Sequence, residues 1–190
     1  MRIKIFAIAL VCFASSLQAQ VPPSAMRRGG LPLEVGAGYS SFDVDWGHGR
    51  MGGGTLWANY RLNMLPGGFN GLGVEIEGRD ISLGGNSTQS PNFRQDTAGG
   101  GLTYSWRRYK NFFPYGKFLV QLGSFDFNLG SPYYTHDTRT VYTPGLGIEY
   151  RAHGHIWVRA DYEYQTWPLL FRKNNSLNPQ GFTGGVAYHF

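Results

Sequence analysis

The stretch Phe182-Thr183-Gly184-Gly185-Val186-Ala187-Tyr188-His189-Phe190 closes the chain, and its side chains sort by parity. In an extended strand Phe182, Val186, Tyr188 and Phe190 share one face, while Thr183, Gly185, Ala187 and His189 share the other. Chain ends of water-soluble domains are usually frayed. A strand that seals a barrel inside lipid needs an apolar side chain at every second position, out to an aromatic one at the interface. This terminal run therefore predicts a membrane β-barrel.

The other end agrees. Arg2 and Lys4 precede an apolar run from Ile5 to Ala14, and Leu17-Gln18-Ala19 offers a small residue for cleavage before Gln20. The pattern predicts a secretory signal peptide over residues 1–19, too short in its apolar part to span a bilayer as a helix. Cys12 is the one cysteine and lies in this leader, behind Val11 rather than the small residue of a lipoprotein signal. The mature chain is thus expected to lack cysteine and disulfides. Loss of the leader removes two positive charges and lowers the formal net charge from +5 to +3. With no basic helix or finger motif, that mild excess does not predict a nucleic-acid partner. Residues 20–30, with Pro22-Pro23 and Arg27-Arg28, read as a periplasmic lead-in, and residues 31–190 as the barrel.

Period-2 alternation recurs through the rest of the chain. Apolar residues alternate with polar or small ones around Leu33–Tyr39, Leu56–Leu62, Leu72–Ile76, Ala98–Trp106, Phe118–Leu122, Tyr142–Tyr150, Ile156–Tyr164 and Phe182–Phe190, with Pro144 interrupting the sixth. These predict eight strands. The gaps 43–53, 80–96, 127–137 and 167–179 are longer and more polar than 63–70, 108–113 and 151–155. Long connections on one side and tight ones on the other match an outer-membrane barrel with both termini periplasmic.

The two parities differ in chemistry. One carries Leu, Val, Ile and aromatic residues, with rings at strand ends: Tyr39, Tyr60, Tyr104, Trp106, Tyr150, Tyr164 and Phe190. The other carries Glu34, Arg61, Glu75, Glu77, Arg79, Arg107, Lys117, Glu149, Arg159, Asp161 and Glu163, with both signs mixed within single strands. Aromatic girdles at strand ends belong to the lipid-facing surface of membrane barrels. The charged parity is accordingly assigned to the lumen.

In its leader, its eight alternating segments, its loop rhythm and its Tyr188-His189-Phe190 ending, the chain resembles the small outer-membrane β-barrel proteins of the OmpA/OmpX type. The resemblance covers nearly the whole mature chain as architecture. It implies an all-β, antiparallel, up-and-down transmembrane barrel of eight strands without a peptidoglycan-binding domain. It also implies that Phe182, Val186, Tyr188 and Phe190 are read by the barrel-assembly machinery, with outer-membrane lipids and lipopolysaccharide as surroundings.

Eight strands leave a lumen only wide enough for side chains to fill. Glu75, Glu77, Glu149, Asp161 and Glu163 are expected to pair there with Arg79, Arg107, Lys117 and Arg159, because lone buried charges are costly. Gly99, Gly101, Gly145 and Gly147 share that face and would leave room for long side chains or water.

Some barrels of this size modify lipid A, and one deacylase type sets His and Ser two apart on a strand beside an acid. His153-Gly154-His155 falls at a short turn, His136-Asp137-Thr138 in a long gap, His48 between glycines and His189 at the chain end. None is assigned that role. No catalytic residue, cofactor or metal site is expected. Pro132-Tyr133-Tyr134 and Trp167-Pro168-Leu169-Leu170-Phe171 place apolar rings outside the strands, with Arg172-Lys173 alongside able to meet lipopolysaccharide phosphates. The expectation is a monomeric, porin-like but plugged outer-membrane protein with a structural or surface-interaction role. A lipid A-modifying enzyme and a narrow gated channel are the alternatives.

Overall fold

The computed structural model describes residues 32–45, 49–62, 67–83, 92–106, 111–128, 134–169 and 176–190. The expected leader and lead-in lie outside them; the barrel belongs to the unit Pro32–Phe190. Eight strands make up the wall: β1 (Leu33–Asp43), β2 (Arg50–Arg61), β3 (Leu72–Leu83), β4 (Asn92–Ser105), β5 (Phe112–Asn128), β6 (Tyr134–His153), β7 (Ile156–Tyr164) and β8 (Gln180–His189). Each strand pairs antiparallel with the next, and β1 pairs with β8 to close the barrel. Closure ends with the Phe190 N–H donating to the Leu33 carbonyl at 3.0 Å.

Register carries the parity of each strand around the wall. Val35 faces Ala58 and Tyr188, Ile76 faces Gly100, and Phe118 faces Leu102 and Pro144. The apolar parity points outward and is solvent-accessible in the isolated chain: Leu122 is 67% and Leu146 66% exposed. A continuous apolar surface of this kind is untenable in water and suited to hydrocarbon. Rings bound it at both ends. Tyr60, Tyr104, Trp106, Phe112, Tyr150, Tyr188 and Phe190 cluster at the end holding the termini, where Tyr104–Trp106, Phe112–Tyr150 and Tyr188–Phe190 touch. Tyr39, Tyr142, Tyr162, Tyr164 and Phe182 form the other girdle.

Past that second girdle the polarity of both faces reverses while the ladder continues. Asp43, Arg50, Asp80, Ser82, Arg94, Asp96, Asp126 and His136 now point outward, and Phe42, Val44, Met51, Ile81, Phe93, Phe125 and Val141 point inward. With Trp167 and Leu177 these inward residues make an apolar cluster that caps the lumen. Four sequence expectations change as a result. The strands run further than expected, so 44–49 and 129–133 are no longer than 106–111. His136 and Thr138 lie on β6 rather than in a loop. Trp167 lies outside the strands, as expected, but is fully buried in the cap rather than exposed, its indole filling the space a Cβ on Gly123 would take. Gly99 and Gly101 face neighbouring β5 backbone at close range, not an open lumen.

The reversal is testable on one strand face. Ile76→Arg, in the lipid belt of β3, should cost about 2–4 kcal/mol, and Ser82→Arg, beyond the girdle, about 0–1 kcal/mol. Equilibrium refolding into lipid vesicles across a denaturant series measures both.

Candidate functional site

Between the apolar cap and the end with the termini, the lumen is filled by polar side chains from every strand. Alternation decides which they are, since β3 and β7 each spend three consecutive inward positions on charge: Glu75, Glu77, Arg79 and Arg159, Asp161, Glu163. Arg159 meets Glu75 through two bonds, Nη1 to Oε2 and Nη2 to Oε1, both 2.8 Å, and its Nε donates to Asp161 Oδ2 at 2.8 Å. Its guanidinium lies between the Trp57 and Tyr115 rings, 4.7 and 4.8 Å from their centroids. Lys117 Nζ reaches Glu163 at 2.5 Å and Glu77 at 2.9 Å. Arg79 Nη2 joins Glu77 and Glu163, each at 2.7 Å. The Tyr115 hydroxyl donates to Asp161 Oδ2 at 2.7 Å. Planar, forked Arg–carboxylate contacts of this sort are the strong class of ion pair.

A second, smaller cluster lies nearer the termini. Arg61 Nη2 binds Glu149 at 2.6 Å and Glu34 at 3.4 Å, while Trp57 Nε1–H donates to Glu34 Oε1 at 2.9 Å. His189 stacks on Trp157, with its Nε2 3.2 Å from Glu34 Oε2. Trp57, Trp157, Ala187 and Phe113 supply apolar packing here. Gly36 makes this possible, because a Cβ there would lie 2.3 Å from the Trp57 ring. Gly147 does the same for Tyr115.

Above the charges sits a neutral belt. Ser40 bonds to Thr55 and, at 2.7 Å, to Thr183; Thr143 donates to Gln121 at 2.9 Å; Gln95 Nε2 donates to Gln165 Oε1 at 2.7 Å. Arg79 bridges belt and cap, its guanidinium 4.4 Å from the Phe42 ring centroid.

Of the residues expected in the lumen, Glu75, Glu77, Arg79, Lys117, Arg159, Asp161 and Glu163 converge on one network. Glu149 joins the second cluster, and Arg107 lies outside the described residues. Glu34, Arg61, Tyr115 and Gln121 were not assigned to the network from sequence, although all carry its parity. Phe182, Val186, Tyr188 and Phe190 all point outward, on the face opposite His189.

One further arrangement lies outside the wall. On the protruding β5–β6 hairpin, His136 Nδ1 is 2.5 Å from Asp126 Oδ1, and its Nε2 is 3.3 Å from Thr138 Oγ1. Arg94 stands across the ladder from Asp126, and Ser124 across from Thr138. Acid, imidazole and hydroxyl in this order can activate a hydroxyl nucleophile.

A closed eight-stranded wall with a lipid-facing belt, two aromatic girdles and a charged interior defines an outer-membrane β-barrel protein. The chain belongs to the outer membrane protein beta-barrel domain family, whose model matches residues 5–190. No curated protein matches it in sequence. Among solved structures it is similar to Neisserial surface protein A, at 17% identity and a TM-score of 0.62, over 83% of this chain and 96% of that one. It is similar to Ail, the attachment invasion locus protein of Yersinia pestis, at 20% identity and a TM-score of 0.58, over 85% and 99%. The outer membrane protein OprG from Pseudomonas aeruginosa gives 16% identity and a TM-score of 0.59, over 85% and 97%. At these identities the likeness is one of fold.

The interior pairs should differ sharply from the exterior ones. Glu75→Gln leaves Arg159 short of its forked partner inside the lumen and should cost about 3–5 kcal/mol. Asp80→Asn removes an exposed partner of Arg94 and should cost at most about 1 kcal/mol. Urea unfolding in detergent micelles compares the two.

Proposed function

We propose that this barrel is a non-catalytic outer-membrane protein with a structural or surface-interaction role, its lumen plugged by the charge network. The carrying observation is the layered interior: an apolar cap, a neutral belt, an ion-paired layer and aromatic packing near the termini. A solute would have to displace buried, mutually bonded charges, each of which is costly to leave without its partner. The proposal places both termini in the periplasm. The tight 154–155 turn lies at their end and the 165–179 connection at the other, in keeping with short periplasmic turns and longer extracellular loops. The polar outer surface beyond the second girdle, carried furthest by β5 and β6, then faces outward from the cell and is the part open to partners. Ail, a barrel of this fold, is named for attachment, which is in keeping with such a role.

In this reading the monomer meets lipid and lipopolysaccharide through its girdles, and the outward Phe182, Val186, Tyr188 and Phe190 are presented to the assembly machinery. Purified barrel in a planar bilayer should give no large, steady conductance; such a conductance from the monomer overturns the plug.

A second reading, a lipid A-modifying enzyme, has the Asp126–His136–Thr138 chain in its favour. His136 and Thr138 stand two apart on a strand with an acid beside them, just beyond the lipid belt. Incubation with lipid A separates the readings. Unchanged acyl chains support the non-catalytic one, and acyl loss that disappears in His136→Ala and Thr138→Ala supports the enzyme.

A further inference from the structure

The lumen charges of the described residues do not balance. Among the described residues, Glu34, Glu75, Glu77, Glu149, Asp161 and Glu163 face the interior below the cap, against Arg61, Arg79, Lys117 and Arg159. The last three bases are engaged with Glu75, Glu77, Asp161 and Glu163. Four acids against three bases leave one excess carboxylate in the main network, and a second falls near the termini, where Glu34 and Glu149 share the Arg61 guanidinium. Buried carboxylates without a matching cation are unfavourable unless paired or coordinating a metal.

Three atoms suited to a metal converge there. One carboxylate oxygen each from Glu34 and Glu149 and a ring nitrogen of His189 lie within 4.8 Å of one another. His189 Nε2 is buried and lies 3.2 Å from Glu34 Oε2. Asn59, directly across the strand pair from Glu34 and only 5% exposed, leaves its Oδ1 without a partner while its amide nitrogen donates to Glu75 and Thr103. The groups are held in place. The Trp57 N–H fixes Glu34, and Trp157 supports the His189 ring from one face at 4.1 Å. Such outer contacts orient metal ligands. The side chains of Arg61 and His189 remain 15% and 16% exposed, so the cluster is reachable from water while the carboxylates are not.

We propose that Glu34, Glu149 and His189 form a divalent-cation site at the termini end of the lumen, with Arg61 as its tethered competitor. Two carboxylates and one imidazole suit a zinc-class ion bound at about 2.0–2.2 Å, which requires the three side chains to draw together by less than an ångström or so. On binding, the Arg61 guanidinium stays protonated and swings toward solvent, and any proton on His189 is released. The ligands come from β1, β6 and β8, so no sequence motif announces them. This inference is independent of whether the lumen conducts or the outer surface catalyses.

The test uses barrel purified from outer membranes, stripped with chelator and titrated with Zn2+ alone, by calorimetry and by tryptophan fluorescence. Gel mobility before and after boiling establishes that each variant is folded. One site per chain is expected. Glu149→Gln and His189→Gln should each weaken binding at least tenfold, while Arg61→Gln should tighten it several-fold by removing the competitor. The Arg61→Gln gain is a readout that a merely structural role would not produce. His153→Gln with His155→Gln, at the exposed turn, should leave binding unchanged. Absence of Zn2+ binding overturns the site. So does binding indifferent to Glu149→Gln and His189→Gln, or lost with the turn histidines, either of which means an adventitious ion only.

Discussion

Hydrocarbon offers no hydrogen bonds, so a chain that crosses it must satisfy every backbone N–H and C=O from within, by a helix or a wall without an edge. That constraint organises everything else here. The β1–β8 pairing that runs from Glu34↔His189 to Asp43↔Gln180 removes the last edge. Closure then fixes parity, because a register slip by one residue would turn the entire apolar set of a strand into the lumen. Once parity is fixed, the outward face is chosen by lipid and the inward face by whatever fills a narrow cylinder. The C-terminal Phe190 takes part twice, through its backbone bond to Leu33 and through its ring in the girdle beside Tyr188.

A charged interior follows from the same geometry but brings its own cost, since desolvating an ion is offset only when partners have good geometry and spare lone pairs are used. The lumen meets this by density of connection. Glu77 is bonded to Arg79, Lys117 and Gln121, and Asp161 to Arg159 and Tyr115. The wall is therefore joined twice, along the ladder between neighbouring strands and across the cylinder between opposite ones, as when Glu75 of β3 meets Arg159 of β7. Removal of any one member leaves several others uncompensated, so the network acts as a unit.

Much of this was legible in the amino-acid sequence, because period-2 alternation is a local signal and a barrel repeats it eight times. Glu75-Ile-Glu77-Gly-Arg79 and Arg159-Ala-Asp161-Tyr-Glu163 announce an interior charge layer by parity alone. Which acid meets which base was not legible, since β3 and β7 lie on opposite sides of the cylinder and pairing depends on strand tilt. The ends of the strands were misjudged for a different reason. In Ser41-Phe42-Asp43-Val44-Asp45 and Asp80-Ile81-Ser82-Leu83 the alternation persists but its polarity flips, so a search for one apolar parity reads those residues as loop. A parity switch at constant period is the signal that marks where a wall leaves the membrane. Trp167 and Leu177 illustrate the limit of such a rule, for they join the cap through an isolated bridge rather than a strand.

The reversal also explains why one ladder can serve two solvents. Below the upper girdle the barrel is apolar outside and charged inside; above it, the arrangement is that of a water-soluble barrel, with Phe42, Ile81, Phe93 and Phe125 as its core. A direct junction of a hydrocarbon core with bare charges would leave polar atoms facing nothing that bonds to them. The junction is graded instead. Hydroxyl and amide groups come first: Ser40 bonds Thr55 and Thr183, Gln95 bonds Gln165, and Gln121 links Thr143 to Glu77. Arg79 completes the step: its guanidinium edge binds carboxylates while its face lies on the Phe42 ring, an arrangement open to a planar delocalised cation and poorly matched by an ammonium. The position of Arg79, two residues before Ile81 on the same face of β3, is thus set by the boundary between the two solvents rather than by its ion pairs alone.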